Sequence, residues 1–304
     1  MNKNMQPSAL EKEKNQVQKE TLYLVATPIG NLGDLSERAR KVLSEVDFIA
    51  AEDTRNTRRL LSHFGISGEM ISYHEHNKKS RGDEILQKLQ SGANCALVTD
   101  AGMPAISDPG EDLVRLCIEN GITVTAVPGP CAAVTALALS ALCTKRFVFE
   151  GFLPVEHGKR AERLKAIKND SRTVILYEAP HRLIKTLTDL KTELGDRLIA
   201  LCRELTKLNE EILRMTLSDA LEFYNEHTPR GEYVLILAGA DDTEQAPQFW
   251  HDMTIEAHVN HYIAAGLQKT EAIKAAAKDR GVPKNKIYNE YVHLNSENTN
   301  EDKR

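Results

Sequence analysis

Five short segments rich in glycine, proline and polar residues each follow an apolar run of the chain. They are Thr27–Asn31, Glu52–Arg55, His74–His76, Asp100–Pro104 and Pro128–Pro130. Glycine lets the backbone approach a ligand closely, and proline holds a loop rigid. If the apolar runs are strands of one open α/β sheet, these segments meet at its carboxyl edge and predict the wall of a binding site.

The chain lacks the signatures of several common enzyme classes. No GxGxxG follows the first apolar run, and no GxxxxGK[ST], HExxH or GxSxG occurs. These absences argue against conventional dinucleotide binding, P-loop chemistry, zinc proteolysis and α/β-hydrolase chemistry. His74 and His76 are spaced to reach one metal ion, but no cysteine or carboxylate cluster completes the ligand shell. We interpret them as a polar loop lining and expect no metal.

The elements that position these segments alternate between strands and helices. Continuous aliphatic runs joined by helical patterns predict a mostly parallel sheet covered on both faces. This predicts a first α/β domain over residues 21–128. Its predicted strands are Leu22–Ala26, Phe48–Ala51, Met70–Tyr73, Ala96–Thr99 and Thr123–Val127. Its predicted helices are Leu35–Val46, Thr57–Phe64, Arg81–Leu89 and Glu111–Glu119.

A second alternating set follows the break at Pro128–Pro130. It predicts a second α/β domain over residues 131–240. Its predicted strands are Phe147–Phe149, Thr173–Tyr177, Leu198–Cys202 and Tyr233–Leu237. The helices are predicted at Cys131–Leu142 and from near Lys159, His181 and Leu217.

The two ends of the chain are polar. Residues 1–20 carry no apolar run, so we expect a disordered leader rather than a signal peptide. After a polar linker at 240–248, residues 249–295 predict a helical tail that resembles a helix-turn-helix. No segment approaches the ~20 apolar residues that span a bilayer. The five cysteines form no CxxC pair and have apolar neighbours, which predicts free buried thiols and a cytoplasmic location.

Eight motifs, in order across residues 21–240, carry a resemblance to a known family. They are Thr27–Leu32, Ala50–Arg55, Thr99–Gly110, Pro128–Ala132, Phe149–Pro154, Tyr177–Arg182, Arg203–Lys207 and Arg230–Glu232. These motifs resemble the tetrapyrrole-methylase-like (class III) methyltransferases, and within them the branch that acts on ribosomal RNA. One departure is Met103, where many members carry threonine. Any hydrogen bond from that hydroxyl is absent here.

The resemblance implies a donor, a substrate and a site. S-adenosylmethionine would bind in the cleft between the two α/β domains and methylate the ribose 2′-hydroxyl of a cytidine in the decoding region of 16S ribosomal RNA. The implied partner is the small ribosomal subunit or its 16S RNA, and a homodimer is expected. The predicted donor-binding residues are Pro28, Asp100, Ala101, Gly102, Pro104, Ile106, Ser107, Ala132, Tyr177 and Glu232.

A ribose hydroxyl is a weak acid, so a positioned base would typically speed its reaction by ~10²–10⁴-fold. We favour Asp53 as the base or hydroxyl orienter, because strand alternation predicts that it faces the cleft while Glu52 points away. Arg55 or Lys207 would hold a phosphate or ease the developing charge. Glu204 and Lys207 are the next catalytic pair to consider.

RNA binding requires a locally basic surface, because the chain has a formal charge of −5. The tail from Lys269 to Glu290 holds six basic and three acidic side chains, so it is one candidate surface. The other candidate RNA contacts are Arg58, Arg59, Lys78, Lys79, Lys159, Arg160 and Arg163.

Two alternative functions stay open at this point. The same fold and donor could methylate a tetrapyrrole carbon, which favours an apolar cleft and leaves the basic tail without a purpose. The chain could also be an RNA-binding assembly factor that holds the donor without turnover. Labelled donor offered with small subunits, free ribosomal RNA or precorrins separates all three.

Overall fold

The computed structural model describes residues 16–240, 250 and 253–291. The chain divides into two compact units between Ala240 and Asp241. The predicted leader up to residue 15 and the linker at 241–248 lie outside the described residues. For residues 16–20 a disordered leader is wrong, because Val17 packs against the core of the first sheet and the Gln18 backbone N–H donates to the Tyr23 hydroxyl at 2.7 Å.

The first sheet has five parallel strands in the order β3-β2-β4-β1-β5, which confirms the predicted parallel sheet. Its strands are β1 Thr21–Val25, β2 Phe48–Ala51, β3 Glu69–Ser72, β4 Cys95–Val98 and β5 Thr123–Val127. The helices that cover it are α1 Glu37–Glu45, α2 Thr54–His63, α3 Lys78–Gln90 and α4 Gly110–Glu119.

The central strand β4 and its neighbour β2 are buried at every position, because helices cover both faces of the sheet. Phe48 and Ala50 enter one apolar cluster, and Ile49 and Ala51 enter the cluster on the opposite face. Since all five strands run in the same direction, the segments that follow β1, β2 and β4 meet at one edge. This edge carries the candidate site.

Helix α2 begins at Thr54, three residues before the predicted start at Thr57. The Asp53 carboxylate accepts a hydrogen bond from the Arg55 backbone N–H at 2.8 Å and so caps the helix. The predicted start at Thr57 rested on the spacing of apolar residues, and that spacing begins only after the polar first turn of the helix. The cap is therefore what extends the helix towards the end of β2.

The second sheet is mixed, in the order β6-β7-β10-β8-β9, with only β6 and β7 parallel. Its strands are β6 Phe147–Phe152, β7 Thr173–Glu178, β8 Leu198–Arg203, β9 Glu211–Thr216 and β10 Tyr233–Leu237. Its helices are α5 Ala132–Leu139, α6 His157–Ile167, α7 Pro180–Leu194 and α8 Leu217–Glu226. Strand β9 was not predicted, because it is a half-exposed edge strand that includes Glu211 and Arg214. Strand β6 runs past its predicted end through an irregularity between Phe149 and Gly151, where Gly151 has φ +62°.

The unit after residue 240 contains α9 Ile255–Ala264, α10 Lys269–Asp279 and a further helical segment at 284–291. Val259, Ile273, Ile287 and Tyr291 form its core. Residues 292–295, the predicted end of the helical tail, lie outside the described residues. No helix in the described part of the chain is both long and apolar enough to cross a membrane.

Three of the five cysteines are buried as predicted. Cys143 is exposed and Cys131 is half-buried, so the prediction of buried thiols is wrong for these two. Both lie in the segment that joins the two sheets, and neighbouring apolar residues alone did not reveal that exposure.

Candidate active site

A large cavity of about 710 Å³ lies between the two α/β halves of the first unit. From the first half it is lined by Ile29, Glu52, Thr99, Asp100, Ala101, Ile106, Ser107 and Asp108. From the second half it is lined by Ala132, Phe152, Tyr177, Glu178, Ala179, Pro180, His181, Cys202, Glu204, Leu205, Lys207, Glu232, Tyr233 and Val234. Most of these residues follow the carboxyl end of a strand, as the α/β rule requires.

Many of the sequence-predicted residues come together in this large cavity. Seven predicted donor-binding residues line it, namely Asp100, Ala101, Ile106, Ser107, Ala132, Tyr177 and Glu232. Two predicted catalytic residues, Glu204 and Lys207, lie on the same wall. Their roles towards a ligand stay predictions.

Three predicted donor-binding residues are placed elsewhere. Gly102 and Pro104 are buried, and neither lines the large cavity. Gly102 instead pairs its backbone with Thr27 through hydrogen bonds of 2.9 and 3.0 Å, and its φ of +85° suits glycine. It therefore ties the loop after β1 to the loop after β4. Pro28 lines a neighbouring, smaller cavity.

Two carboxylates form an acidic wall of the large cavity. The Thr99 hydroxyl donates to Glu52 Oε2 at 2.9 Å, and the Asn56 amide donates to Asp100 Oδ2 at 3.4 Å. Burial, and secondly the nearby charge of Glu52, raise the pKa of Asp100 above its usual range. A carboxylate with a raised pKa is a better proton acceptor than an ordinary aspartate.

The prediction that Asp53 faces the cleft while Glu52 points away is wrong. Glu52 lines the large cavity, and Asp53 lines neither cavity. The Asp53 carboxylate caps α2 and pairs with the exposed Arg55 guanidinium at 2.8 Å, which lowers the pKa of Asp53 to about 2. The chain leaves strand geometry after Ala51, so alternation no longer sets which side chain faces the site. Arg55 is held in the same surface pair, away from the cavity lining.

Lys207 forms ion pairs with two carboxylates on the part of the cavity lining that comes from the second half. Its Nζ lies 2.9 Å from Glu204 Oε1 and 2.8 Å from Glu232 Oε2. Burial by itself would lower the pKa of Lys207, but the hydrogen bonds to Glu232 and Glu204 outweigh it and raise that pKa. Lys207 is therefore a fixed cation and is unsuited to act as a base.

Strained backbone marks two loops of the large cavity. Ala105 and Ser107 have φ of +66° and +63°, and Glu204 and Thr206 have φ of +50° and +65°. Non-glycine residues rarely adopt this region, and such strain clusters at functional sites. The Asp108 carboxylate supports the first loop by accepting the Ala105 backbone N–H at 3.0 Å.

A small cavity of about 380 Å³ adjoins the large one. It is lined by Pro28, Gly30, Leu32, Asn56, Thr57, Arg59, Leu60, His63, Thr99 and Asp100. Thr99 and Asp100 line both cavities, so they form a shared wall.

Comparison with known proteins agrees with this architecture. Residues 21–221 match the family model of the tetrapyrrole (corrin/porphyrin) methylases. The chain belongs to this family. The resemblance inferred from the sequence motifs is confirmed.

Curated relatives place the chain more finely within the tetrapyrrole methylases. It is 51% identical over 274 residues to "Ribosomal RNA small subunit methyltransferase I" of Halalkalibacterium halodurans, covering 90% of this chain and 95% of that protein. It is 47% identical to the protein of the same name from Synechocystis, covering 91% of this chain and 99% of that protein. A solved uroporphyrin-III C-methyl transferase of Thermus thermophilus, complexed with S-adenyl homocysteine, shares the fold at TM-score 0.51 and 18% identity, covering 72% of this chain and 92% of that chain.

The structure of this chain also reveals lining residues that sequence reasoning missed. Phe152 and His181 line the large cavity, and Phe152 packs edge-on against Tyr177 at 5.7 Å between ring centroids. Glu178 is buried, where it accepts the Thr186 hydroxyl and lies 3.3 Å from Arg182 Nε. For Glu178 and His181, the sequence did offer one signal of a place in the site, which is their position at and just after the end of β7.

The predicted RNA-contacting cations separate into three groups. Arg160 is only 5% exposed, so its prediction as an RNA contact is wrong. Lys78, Lys159 and Arg163 are already in ion pairs with neighbouring carboxylates. Arg58, Arg59 and Lys79 are exposed, and their contact with RNA stays a prediction.

The two histidines considered as metal ligands lie in the loop before α3. The Asn77 amide lies 3.2 Å from His74 Nε2, and the His74 and His76 rings are 6.0 Å apart. Across the described residues, no group of three or more His, Cys, Asp or Glu side chains is arranged to hold a metal ion.

Substitution of Gly30 tests whether the wall of the large cavity that carries Glu204 and Lys207, here called the Lys207 wall, contributes to catalysis. A Cβ at Gly30 would lie 2.4 Å from Lys207 Cγ and 2.7 Å from Thr206 Oγ1. Alanine at this position therefore has to displace the side chains of Thr206 and Lys207. We expect Gly30→Ala to lower turnover by about tenfold, because small displacements of positioned groups are costly. Gly158→Ala is the control, since a Cβ there meets nothing within 4 Å. Equal turnover of both variants and the parent would remove the Lys207 wall from catalysis.

Proposed function

We propose that this protein transfers the methyl group of S-adenosylmethionine to the ribose 2′-hydroxyl of a cytidine in small-subunit (16S) ribosomal RNA. The observation that carries the proposal is the large cavity at the strand ends of a chain 51% identical to a ribosomal RNA small subunit methyltransferase. Relatives with that name make the tetrapyrrole-methylating alternative the less favoured one.

The lining of the large cavity suits the donor. S-adenosylmethionine carries a sulfonium and an ammonium group, and the Glu52 carboxylate supplies negative charge to one wall. Ile106, Ala132 and Tyr177 supply apolar and aromatic surface, and an aromatic face also attracts cations. Burial raises the pKa of Tyr177 to about 12, so its phenol stays neutral. We infer that these residues hold the donor.

The same residues account for the chemistry. The donor supplies a methyl carbon, which leaves its sulfur together with the positive charge as the ribose oxygen bonds to it. Asp100 lies on the wall shared by both cavities, where it can orient the hydroxyl and accept its proton. Burial, and secondly the charge of Glu52, keep the pKa of Asp100 raised, which favours that proton transfer. Lys207 contributes a fixed positive charge to the opposite wall.

The full-length protein incubated with methyl-labelled donor tests this function. We expect label in the 16S RNA of small subunits, on a ribose whose 3′ linkage then resists alkaline cleavage. Transfer to a precorrin but not to RNA would support the tetrapyrrole alternative. Tight binding of donor and subunits without any transfer would instead support an assembly factor. Either of these outcomes contradicts the proposal.

The proposal extends to assembly and location. A homodimer is implied by the resemblance, and light scattering of the purified protein tests it by giving twice the mass of one chain. A cytoplasmic location follows from a ribosomal RNA substrate and is tested by fractionation of cells.

The helical tail is proposed as an additional RNA-binding surface because its basic side chains outnumber its acidic ones between Lys269 and Glu290.

A further inference from the structure

The small cavity is placed where a second reactant would be needed. It shares Thr99 and Asp100 with the large cavity, so a group bound in one lies against the wall of the other. Its volume of about 380 Å³ falls within the ~300–1,000 Å³ typical of ligand-binding clefts. Seven of the ten donor-binding residues predicted from the sequence line the large cavity, and one of these seven, Asp100, also lines the small cavity. Pro28 lines the small cavity, whereas Gly102 and Pro104 are buried and line neither.

Helix α2 supplies the polar side of the small cavity. Asn56, Arg59 and His63 are spaced by three and four residues, so they lie on one helical face and all line the cavity. All three are exposed. An amide, a guanidinium and an imidazole can hydrogen-bond to the edge of a base and to a phosphate.

The lining of the small cavity also includes apolar residues. Pro28 and Leu32 follow β1, and Leu60 lies between the polar positions of α2. Leu32 leaves 41% of its surface exposed. Apolar surface next to hydrogen-bonding groups suits a nucleobase, which has an apolar face and a polar edge.

The charge of Arg59 supports an anionic ligand. The Arg55 guanidinium on the same helix is neutralised by Asp53, whereas the Arg59 guanidinium forms no hydrogen bond or ion pair with any residue that the structure describes. An exposed, uncompensated guanidinium at the rim of a cavity is well suited to bind a phosphate oxygen pair.

We propose that the small cavity is the acceptor site and holds the RNA nucleotide that is methylated. This inference rests on the proposed function. The base lies between the residues Pro28 and Leu32 that follow β1 and the face of α2, a flanking phosphate binds Arg59, and the ribose lies at the shared wall beside Asp100. A nucleotide can enter such a cavity only when it is turned out of its stack, as in other enzymes that modify nucleic acids.

Two variants test the acceptor site. Asn56→Trp places a large ring at an exposed lining position, and we expect it to reduce methylation of small subunits by at least tenfold. Arg59→Gln should raise the KM for small subunits by about tenfold, through loss of one charge-assisted hydrogen bond. Calorimetry should show unchanged affinity for S-adenosylmethionine in both variants, because the donor lies in the large cavity.

Matched controls separate the cavity from general surface effects. Ser62→Trp puts the same ring at an exposed position of α2 that lines neither cavity. Arg115→Gln removes the same charge from the exposed surface of α4. We expect both controls to keep the parent's KM and turnover.

The outcomes distinguish this inference from the proposed function. If the parent protein fails to methylate RNA, the proposed function itself is wrong. If the parent methylates RNA and both test variants match it in KM and turnover, the acceptor site is wrong while the function stands. Loss of donor affinity in Asn56→Trp would assign the small cavity to the donor and would equally overturn the inference.

Discussion

Asp100→Asn lowers turnover on small ribosomal subunits by roughly 10²-fold or more and leaves donor affinity nearly unchanged. Asparagine keeps the size of the side chain and can still hydrogen-bond, but it cannot accept the hydroxyl proton. Asp100 lies on the wall shared by the two cavities, and burial raises its pKa. Single-turnover rates and calorimetry with S-adenosylmethionine measure the two effects separately.

Asp53→Asn is the matched control, because asparagine caps a helix about as well as aspartate does. Asp53 lines neither cavity, so this variant should retain the parent's turnover. If Asp100→Asn instead loses donor affinity with little change in turnover at saturating donor, Asp100 binds the donor and is not the base. Loss of turnover in Asp53→Asn alone would restore the base predicted from the sequence.

The pH dependence of single-turnover rates provides a second measurement on Asp100. As the pH falls through its raised pKa, the carboxylate becomes protonated and the rate should decline. Because Asp100 has a pKa above its ordinary value of 3.8, the decline should begin at higher pH than for an unperturbed aspartate. Glu52→Gln removes a neighbouring negative charge, lowers the pKa of Asp100 and should move the decline to lower pH.

Arg160→Ala should destabilise the protein by about 3 kcal/mol, because it removes a buried guanidinium from the buried Thr186 hydroxyl and from the half-buried Asp189, which would keep the exposed Lys185 as its remaining partner. Arg160 Nε donates to Asp189 at 2.6 Å, and a second guanidinium nitrogen donates to the Thr186 hydroxyl at 2.8 Å. For a unit of this size about 2–4 °C is lost per kcal/mol, so the thermal midpoint should fall by on the order of 10 °C. Scanning calorimetry of the full chain measures the shift.

Lys159→Ala is the control for this prediction. Lys159 is the preceding residue of α6, and its ammonium is exposed and pairs with Glu156 at 2.8 Å. Exposed pairs of this kind contribute ~0–1 kcal/mol, so the midpoint should hardly move. A stable Arg160→Ala variant with weakened subunit binding would instead support the RNA contact predicted from the sequence.

The sequence alone was sufficient for the outline of the fold. Aliphatic runs at Phe48–Ala51 and Tyr233–Leu237 predicted strands, and both strands are buried at every position, because burial on both faces demands continuous apolar side chains. Motifs such as Thr99–Gly110 predicted the family, which the comparisons confirmed. Strand β9 was missed, because an edge strand with one exposed face carries no such continuous run.

The grouping of the segments after β1, β2 and β4 also followed from the sequence, since parallel strands bring their carboxyl ends to one edge. The prediction was wrong for His74–His76 and Pro128–Pro130, which line neither cavity. The direction of individual side chains did not follow from the sequence. Glu52 lines the large cavity and Asp53 does not, which is the reverse of the prediction, because the backbone leaves the strand and enters a helix cap there. Arg160 became a buried ion-pair partner only through contact with α7, which is distant in sequence.

The sequence by itself determined the α/β class, the family and the loops that build the site, because these depend on local apolar patterns and contiguous motifs. Only the tertiary structure decided that there are two adjoining cavities, that Asp100 lies between them and that Lys207 is held as a fixed cation. The physical reason is that cavity shape, burial and charge pairing arise from segments far apart in the chain. Local sequence patterns contain no record of those contacts.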